Sequence, residues 1–297
     1  MAACGSAIGP HSSIACRSGV KTSCMPAASG SGARSDQVPS APGVAVLRGG
    51  HSHNDYTRER PLLDALDKRY MSVEADVYLV DGELLVAHDR RDCRKDRTLR
   101  GMYLEPLAAR VRAGRRVYPD APVGTPPLVL LIDIKTEGRA AYAEIDRQLA
   151  GYPDVFTSCV GVAVSTRAVT VIISGDVPRE AIAAQGERRA FIDGREGDLE
   201  GPAAAALPPS LVPMVSLPWT PRFAWIGLGA MPTVQRAELR RLVAAAHGRG
   251  YRIRFWGTPN LPAFWKVLVE EGVDVIGVDD LDLGRGALAP VVPERSR

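Results

Sequence analysis

The side chains of this 297-residue chain that could perform acid–base or metal chemistry fall in a few short segments. The first is His51-Ser52-His53-Asn54-Asp55-Tyr56. The second, Ser72-Val73-Glu74-Ala75-Asp76-Val77, is an apolar run broken by two acids one residue apart. Strand side chains alternate with period two, so Glu74 and Asp76 point to the same face. Two carboxylates aimed into an apolar interior repel each other and lose hydration, and they need a cation between them. Leu131-Ile132-Asp133-Ile134-Lys135 adds a third acid and a lysine in the same alternation. Three carboxylates with no cysteine among them make a hard oxygen site, suited to one divalent cation, Mg²⁺ or Ca²⁺. Val80-Asp81-Gly82-Glu83 reads as a hairpin turn that sends the chain back to the acids with His88. Histidine titrates near neutrality, which suits His53 and His88 to proton transfer.

Each residue has a simpler reading. A lone acid at a strand end caps or solvates, Asp133 beside Lys135 makes an ion pair, and Trp256 fills a core. The basic run from Arg90 to Arg100 is a solvated loop or a lure for an anionic substrate or lipid surface. The acid pair inside a valine-rich strand resists such a reading best.

Apolar runs after Gly43 supply the elements that would position these groups. Strands are predicted at 44–47, 72–78, 128–134, 169–174, 190–193, 212–216, 252–256 and 273–278. Helices are predicted at 60–69, 104–112, 139–149, 178–185, 234–249 and 261–271. The stretch from Gly201 to Pro209 is mostly Gly, Ala and Pro, so the helix between the fifth and sixth strands is expected to be short or missing. Eight strand–helix steps in about 250 residues suggest a single α/β TIM barrel with its chemistry at the carboxyl ends of the strands. A doubly wound open sheet is the other architecture this alternation allows.

Residues 1–43 are rich in Ser, Ala, Gly and Pro and hold only isolated large apolar residues, a composition expected to be a disordered tail ahead of a barrel domain at 44–290. No basic start leads into an apolar core there, so no convincing signal peptide is read, and a cytoplasmic or secreted location stays open. Cys4, Cys16 and Cys24 lie in the tail, and Cys93 and Cys159 have no paired spacing, which indicates neither a disulfide framework nor a cysteine zinc site. A net charge of +3 argues against a nucleic-acid partner. No apolar run is long enough to span a bilayer, which leaves peripheral membrane contact at most; oligomeric state is not legible.

The ordered combination His53-Asn54-Asp55-Tyr56, Pro61-Leu62, Asp64-Ala65-Leu66, Ser72 to Val77, Asp81-Gly82, Val86-Ala87-His88-Asp89 and Asp133-Ile134-Lys135 resembles the glycerophosphodiester phosphodiesterase and phosphatidylinositol phospholipase C-like superfamily. It is most similar to the group named for altered inheritance of mitochondria protein 6, and 170–175, 252–260 and 278–281 extend the likeness over about residues 44–285. The resemblance implies a TIM barrel that hydrolyses a small-molecule or lipid phosphodiester. One divalent metal would sit on Glu74, Asp76 and Asp133, with His53 and His88 as general acid and base and Lys135 steadying the phosphate. Asn54 and Trp256 are the remaining candidate substrate contacts. In the better-known glycerophosphodiesterases the first histidine precedes Arg-Gly, where this chain has Asn54-Asp55, and their third metal acid is Glu where this one is Asp133, so their substrate specificity does not carry over. Two alternatives remain: a zinc amidohydrolase-type barrel using His51 and His53, and a non-catalytic phosphate- or lipid-binding barrel.

Overall fold

The computed structural model describes residues 44–202 and 206–289; the tail expected at 1–43 lies outside the described residues. Eight parallel strands carry the fold: β1 (Leu47–Ser52), β2 (Tyr70–Val80), β3 (Leu128–Ile134), β4 (Val169–Gly175), β5 (Ala190–Gly194), β6 (Met214–Pro218), β7 (Arg252–Trp256) and β8 (Val275–Val278). Neighbouring strands pair in chain order, and β1 pairs with both β2 and β8, so the sheet closes on itself and the open-sheet alternative falls. The protein is a TIM-type α/β barrel.

Helices α1 (Leu63–Asp67), α2 (Glu105–Gly114), α3 (Gly138–Leu149), α4 (Arg179–Ala183), α5 (Thr233–Gly248), α6 (Pro262–Glu270) and α7 (Leu281–Leu288) follow the strands. Leu239, Leu242, Val243 and Ala246 form the buried stripe of α5, at the three- and four-residue spacing of one helix face. On its outer face Arg236 and Arg240 pair with Glu271, and Arg241 pairs with Glu238. Between β5 and β6 the described residues hold only a 3₁₀ turn at Glu196–Leu199, as the Gly/Ala/Pro composition suggests.

Alternation along the strands sorts side chains into two cores. Leu130, Ile132 and Ile134 of β3 face the helices, whereas Val129 and Leu131 join Ile172, Met214 and Val275 inside the barrel. Two residues farther up the inward faces come Asp133, Ser174 and Ser216, and the inward side of β7 at the level of Ser216 carries Arg254. The barrel interior is thus apolar in its lower layers and polar at the carboxyl end, where TIM barrels keep their chemistry.

Two local features differ from expectation. The first strand starts at Leu47 rather than Val44 and runs through Ser52, so His51 lies within it. Gly49 and Gly50 argue against a strand on propensity, yet a Cβ at Gly50 would run into Leu47 and the Tyr70 ring, so close packing selects glycine there. A hairpin at Ser158–Val160 and Ala163–Ser165, edged by Glu187–Arg188, precedes β4 and was not anticipated. Cys93 and Cys159 form no disulfide among the described residues. Among the described residues no helix is long and apolar enough to cross a membrane.

Candidate active site

The register of β2 against β3 sets Asp76 directly beside Asp133, with Glu74 two residues below on the same face. Their carboxylate oxygens lie within 4.8 Å of one another. Gly175 at the end of β4 makes room for this: a Cβ there would collide with the Ile134 carbonyl and with Asp133 Oδ1.

Two cations face the trio. Lys135 Nζ stands 2.7 Å from Asp76 Oδ2 and 3.1 Å from Asp133 Oδ1, and Arg254 reaches Glu74 Oε2 at 3.3 Å. Burial alone would raise the Glu74 pKa, but Arg254 and the His51 hydrogen bond outweigh it and hold the group well below the usual carboxylate range. Burial also acts on Asp76, where it prevails over Lys135 and leaves the pKa raised. The Lys135 ammonium loses hydration too, yet Asp133 and Asp76 more than compensate and its pKa rises. Three acids against two cations leave one negative charge, and Asp76 Oδ1 is buried with no hydrogen-bond partner among the described residues. The donor set and the orphaned oxygen fit a hard divalent cation.

His51 serves this cluster without entering it. Its Nδ1 lies 2.7 Å from Ser72 Oγ and its Nε2 3.1 Å from Glu74 Oε2. Burial and the Arg254 charge lower its pKa to about 4. The ring is therefore neutral near pH 7, donating from Nε2 to Glu74 and accepting from Ser72.

His53 and His88 are anchored over different carboxylates. His53 Nε2 stands 3.9 Å from Glu74 Oε2, while Nδ1 donates to Asp279 Oδ1 at 2.6 Å. Asp279 is itself held by Asn260, whose side-chain oxygen accepts from the Asp279 backbone N–H at 3.0 Å. Burial would depress His53, but the hydrogen bond to Asp279 and the charges of Glu74 and Asp279 prevail and its pKa is raised. The Asp81-Gly82 turn has both residues at positive φ, as a tight hairpin requires, and it returns the chain so that Ala87 N–H donates to the Asp76 carbonyl. His88 Nδ1 then lies 3.4 Å from Asp76 Oδ2 and 3.0 Å from the Tyr56 hydroxyl. Tyr56 Oη is 2.7 Å from Asp76 Oδ2. Its one proton lies between two acceptors, Asp76 Oδ2 and Asn54 Oδ1, and the phenol oxygen accepts from His88 Nδ1–H.

Asn54 adopts the left-handed conformation (φ 47°), which turns its backbone N–H toward Glu74 Oε2 at 3.4 Å, while its side-chain oxygen lies 2.8 Å from the Tyr56 hydroxyl. Asp55 is structural: fully buried, it accepts from Ser52 Oγ, Leu62 N–H and the Tyr103 hydroxyl and shapes the loop after β1. Trp256 is 48% exposed at the end of β7, which rules out a core role and puts its ring at the barrel mouth.

All the residues singled out from the sequence except Trp256 touch or adjoin the carboxylate cluster. Arg254, Tyr56 and Asp279 also belong to the site although the sequence reading gives them no role in it, and His51, read only as a zinc ligand of the amidohydrolase alternative, serves Glu74 instead. Arg254 carried a signal, since it lies two residues before Trp256 and therefore on the same inward face. Asp279 lies in the 278–281 segment that extends the likeness, but its link to His53, 226 residues away in sequence, could not be read from the chain.

A family model described as the AIM6-like phosphodiesterase domain matches residues 44–193. The altered inheritance of mitochondria protein 6 of Eremothecium gossypii is 31% identical, over 80% of this chain and 69% of its own length. The homolog from Arthroderma benhamiae is 27% identical, over 80% of this chain and 82% of its own. A crystal structure of glycerophosphodiester phosphodiesterase from Agrobacterium tumefaciens str. C58 aligns at a TM-score of 0.45 and 16% identity, covering 80% of this chain and 97% of that one.

Proposed function

Because this chain belongs to the family of AIM6-like phosphodiesterase domains, we propose that it is a metal-dependent phosphoric diester hydrolase acting on a glycerophosphodiester or phospholipid-type substrate. The observation that carries this reading is the convergence of Glu74, Asp76 and Asp133 beneath two separately anchored imidazoles. One domain, residues 44–290, holds the whole apparatus.

A phosphodiester carries a negative charge that repels nucleophiles, so its hydrolysis needs positive charge on a non-bridging oxygen, a base and an acid. Glu74, Asp76 and Asp133 would hold one Mg²⁺ or Ca²⁺, which when bound supplies Lewis-acid polarisation of the phosphate. Lys135 extends an ammonium from the same cluster toward the substrate's charge. His53 is the general base. Its Nδ1–H is committed to Asp279, which leaves Nε2 to take the proton of the attacking hydroxyl and strengthens the ring as a base. His88, oriented by Tyr56 through Nδ1, presents Nε2–H to the leaving oxygen. Asn54 orients Tyr56 and the loop backbone, and Trp256 offers an apolar wall for the alcohol moiety.

The zinc amidohydrolase alternative fares worse. Both nitrogens of His51 are engaged by Ser72 and Glu74, and His247, the only histidine after His88, lies in α5 and pairs with Asp274, whereas a zinc amidohydrolase needs further histidines at later strand ends. The test is turnover of bis(p-nitrophenyl) phosphate and a panel of glycero- and lysophospholipids, with and without chelator. Release of p-nitrophenol that stops with EDTA and returns with Mg²⁺ or Ca²⁺ supports the proposal. Turnover indifferent to EDTA or to His53→Ala sinks it, and phosphate binding without turnover favours a binding module.

A further inference from the structure

The end of a TIM barrel remote from its catalytic face ordinarily serves stability. Here that end carries a cavity of about 370 Å³, within the range of small-ligand sites. Met71 near the start of β2, Leu128 at the start of β3 and Ala168 just ahead of β4 fix its position. Arg115, Arg116 and Arg167 line it together with Thr125 and Thr166.

These guanidiniums are poorly compensated. The lining acid, Asp154, gives both oxygens to Arg112 at 2.9 and 3.0 Å, and Asp120 nearby in the chain is held by Arg69. Arg116 reaches only the carbonyls of Ala121 and Pro122, at 3.4 and 3.3 Å. The side chains of Arg115 and Arg167 make no hydrogen bond among the described residues, though the Arg167 charge is felt by Asp154. Arg115 also holds φ 61° at the C-cap of α2, a conformation that glycine fills without strain and that gathers at binding sites when other residues adopt it.

Around this basic hollow four valines stand in water: Val123 is 93% exposed, Val162 81%, Val160 61% and Val164 44%. The last three sit on the hairpin Ser158–Val160/Ala163–Ser165, which leads directly into Thr166 and Arg167, and Val123 precedes Thr125 by two residues. The hairpin is held in place: its edge pairs with Glu187–Arg188, and the buried Arg188 donates to the Ser210 carbonyl at 2.6 Å. A hairpin with apolar residues on both faces and at its turn, on a fixed support next to a cluster of arginines that outnumber the one lining acid, matches a layer of phosphate oxygens above hydrocarbon. We propose that this end of the barrel docks on an anionic phospholipid surface, the cavity taking a lipid phosphate and the valines entering the interfacial layer. Asp133 lies five residues up β3 from Leu128, about 17 Å along the strand, which with the usual strand tilt places the carboxylates about 13 Å farther from the bilayer than the strand's start.

The test is co-sedimentation of the full chain with phosphatidylcholine vesicles with and without phosphatidylserine. Binding to the phosphatidylserine vesicles alone, reversed by salt, is expected. Arg115→Ala and Arg167→Ala should each weaken partitioning roughly fivefold, or ~1 kcal/mol. Val162→Glu, at an exposed hairpin tip where folding is not at stake, should abolish it. Arg90→Ala at the catalytic end should leave it unchanged. The proposal is overturned by absence of vesicle binding at low salt, or by binding that survives the cavity substitutions. Saturable binding of inorganic phosphate, lost in Arg115→Ala but without vesicle binding, would likewise overturn docking in favour of a soluble ligand.

Discussion

Replacing Lys135 with Met keeps the aliphatic stem and removes the charge that Asp76 and Asp133 share, at 2.7 and 3.1 Å. At an effective dielectric near 20, each contact is on the order of 5 to 6 kcal/mol before desolvation is counted. Asp76 is almost fully buried, whereas the Lys135 side chain is 25% exposed, which places the net loss at the lower end of the 3–5 kcal/mol typical of breaking a buried pair, at about 3 kcal/mol. For a domain of this size that corresponds to a fall in Tm of roughly 6–12 °C in EDTA. The same change makes the acidic trio more negative, so Mg²⁺ or Ca²⁺ should bind on the order of tenfold tighter and recover much of the lost stability. Turnover at saturating metal should nonetheless fall about a hundredfold, because the substrate's phosphate loses a preorganised cation. Thermal melts in EDTA, calorimetric metal titration and the phosphodiester assay read the three quantities. An unchanged Tm in EDTA, or weaker metal binding in the variant, would refute the electrostatic account of this cluster.

Asp279→Asn should lower the His53 pKa, since the aspartate raises it, and so move the acidic limb of the kcat/KM profile to lower pH with a smaller maximum; a limb that stays put argues against His53 as the base. His53→Ala and His88→Ala should each cost about 10² to 10⁴ in kcat, while far-UV circular dichroism stays native. His51 titrates near 4 folded and 6.5 unfolded, so the unfolded state binds more protons across that window and stability falls as pH drops through it. The full effect is about 3 kcal/mol, and between pH 4.5 and 6.5 it is separable from Glu74, whose contribution fades only below its unfolded value of 4.5. Urea unfolding in EDTA over pH 4.5 to 7 should show a steeper slope for the wild-type chain than for His51→Gln, and equal slopes would mean that His51 is not held neutral.

Much of the catalytic end was legible in the chain because alternation is local. Glu74 and Asp76 share a face by spacing alone, Asp81-Gly82 specifies the turn that brings back His88, and β3 and β7 begin and end where their apolar runs do. Gly49-Gly50 misled the placement of β1, since local propensity cannot register that Leu47 and Tyr70 leave no room for a side chain there. Strand spacing could not reveal the level at which neighbouring strands align. The pairing of Asp76 with Asp133 follows from the register of β2 on β3, and the reach of Arg254 across the barrel to Glu74 and the grip of Asp279 on His53 follow from closure of β1 against β8. Residue types and their periodicity thus determined which groups face inward and what chemistry they suit. Only the closed barrel decided which of them meet, because inter-strand register and ring closure depend on packing between segments far apart in sequence.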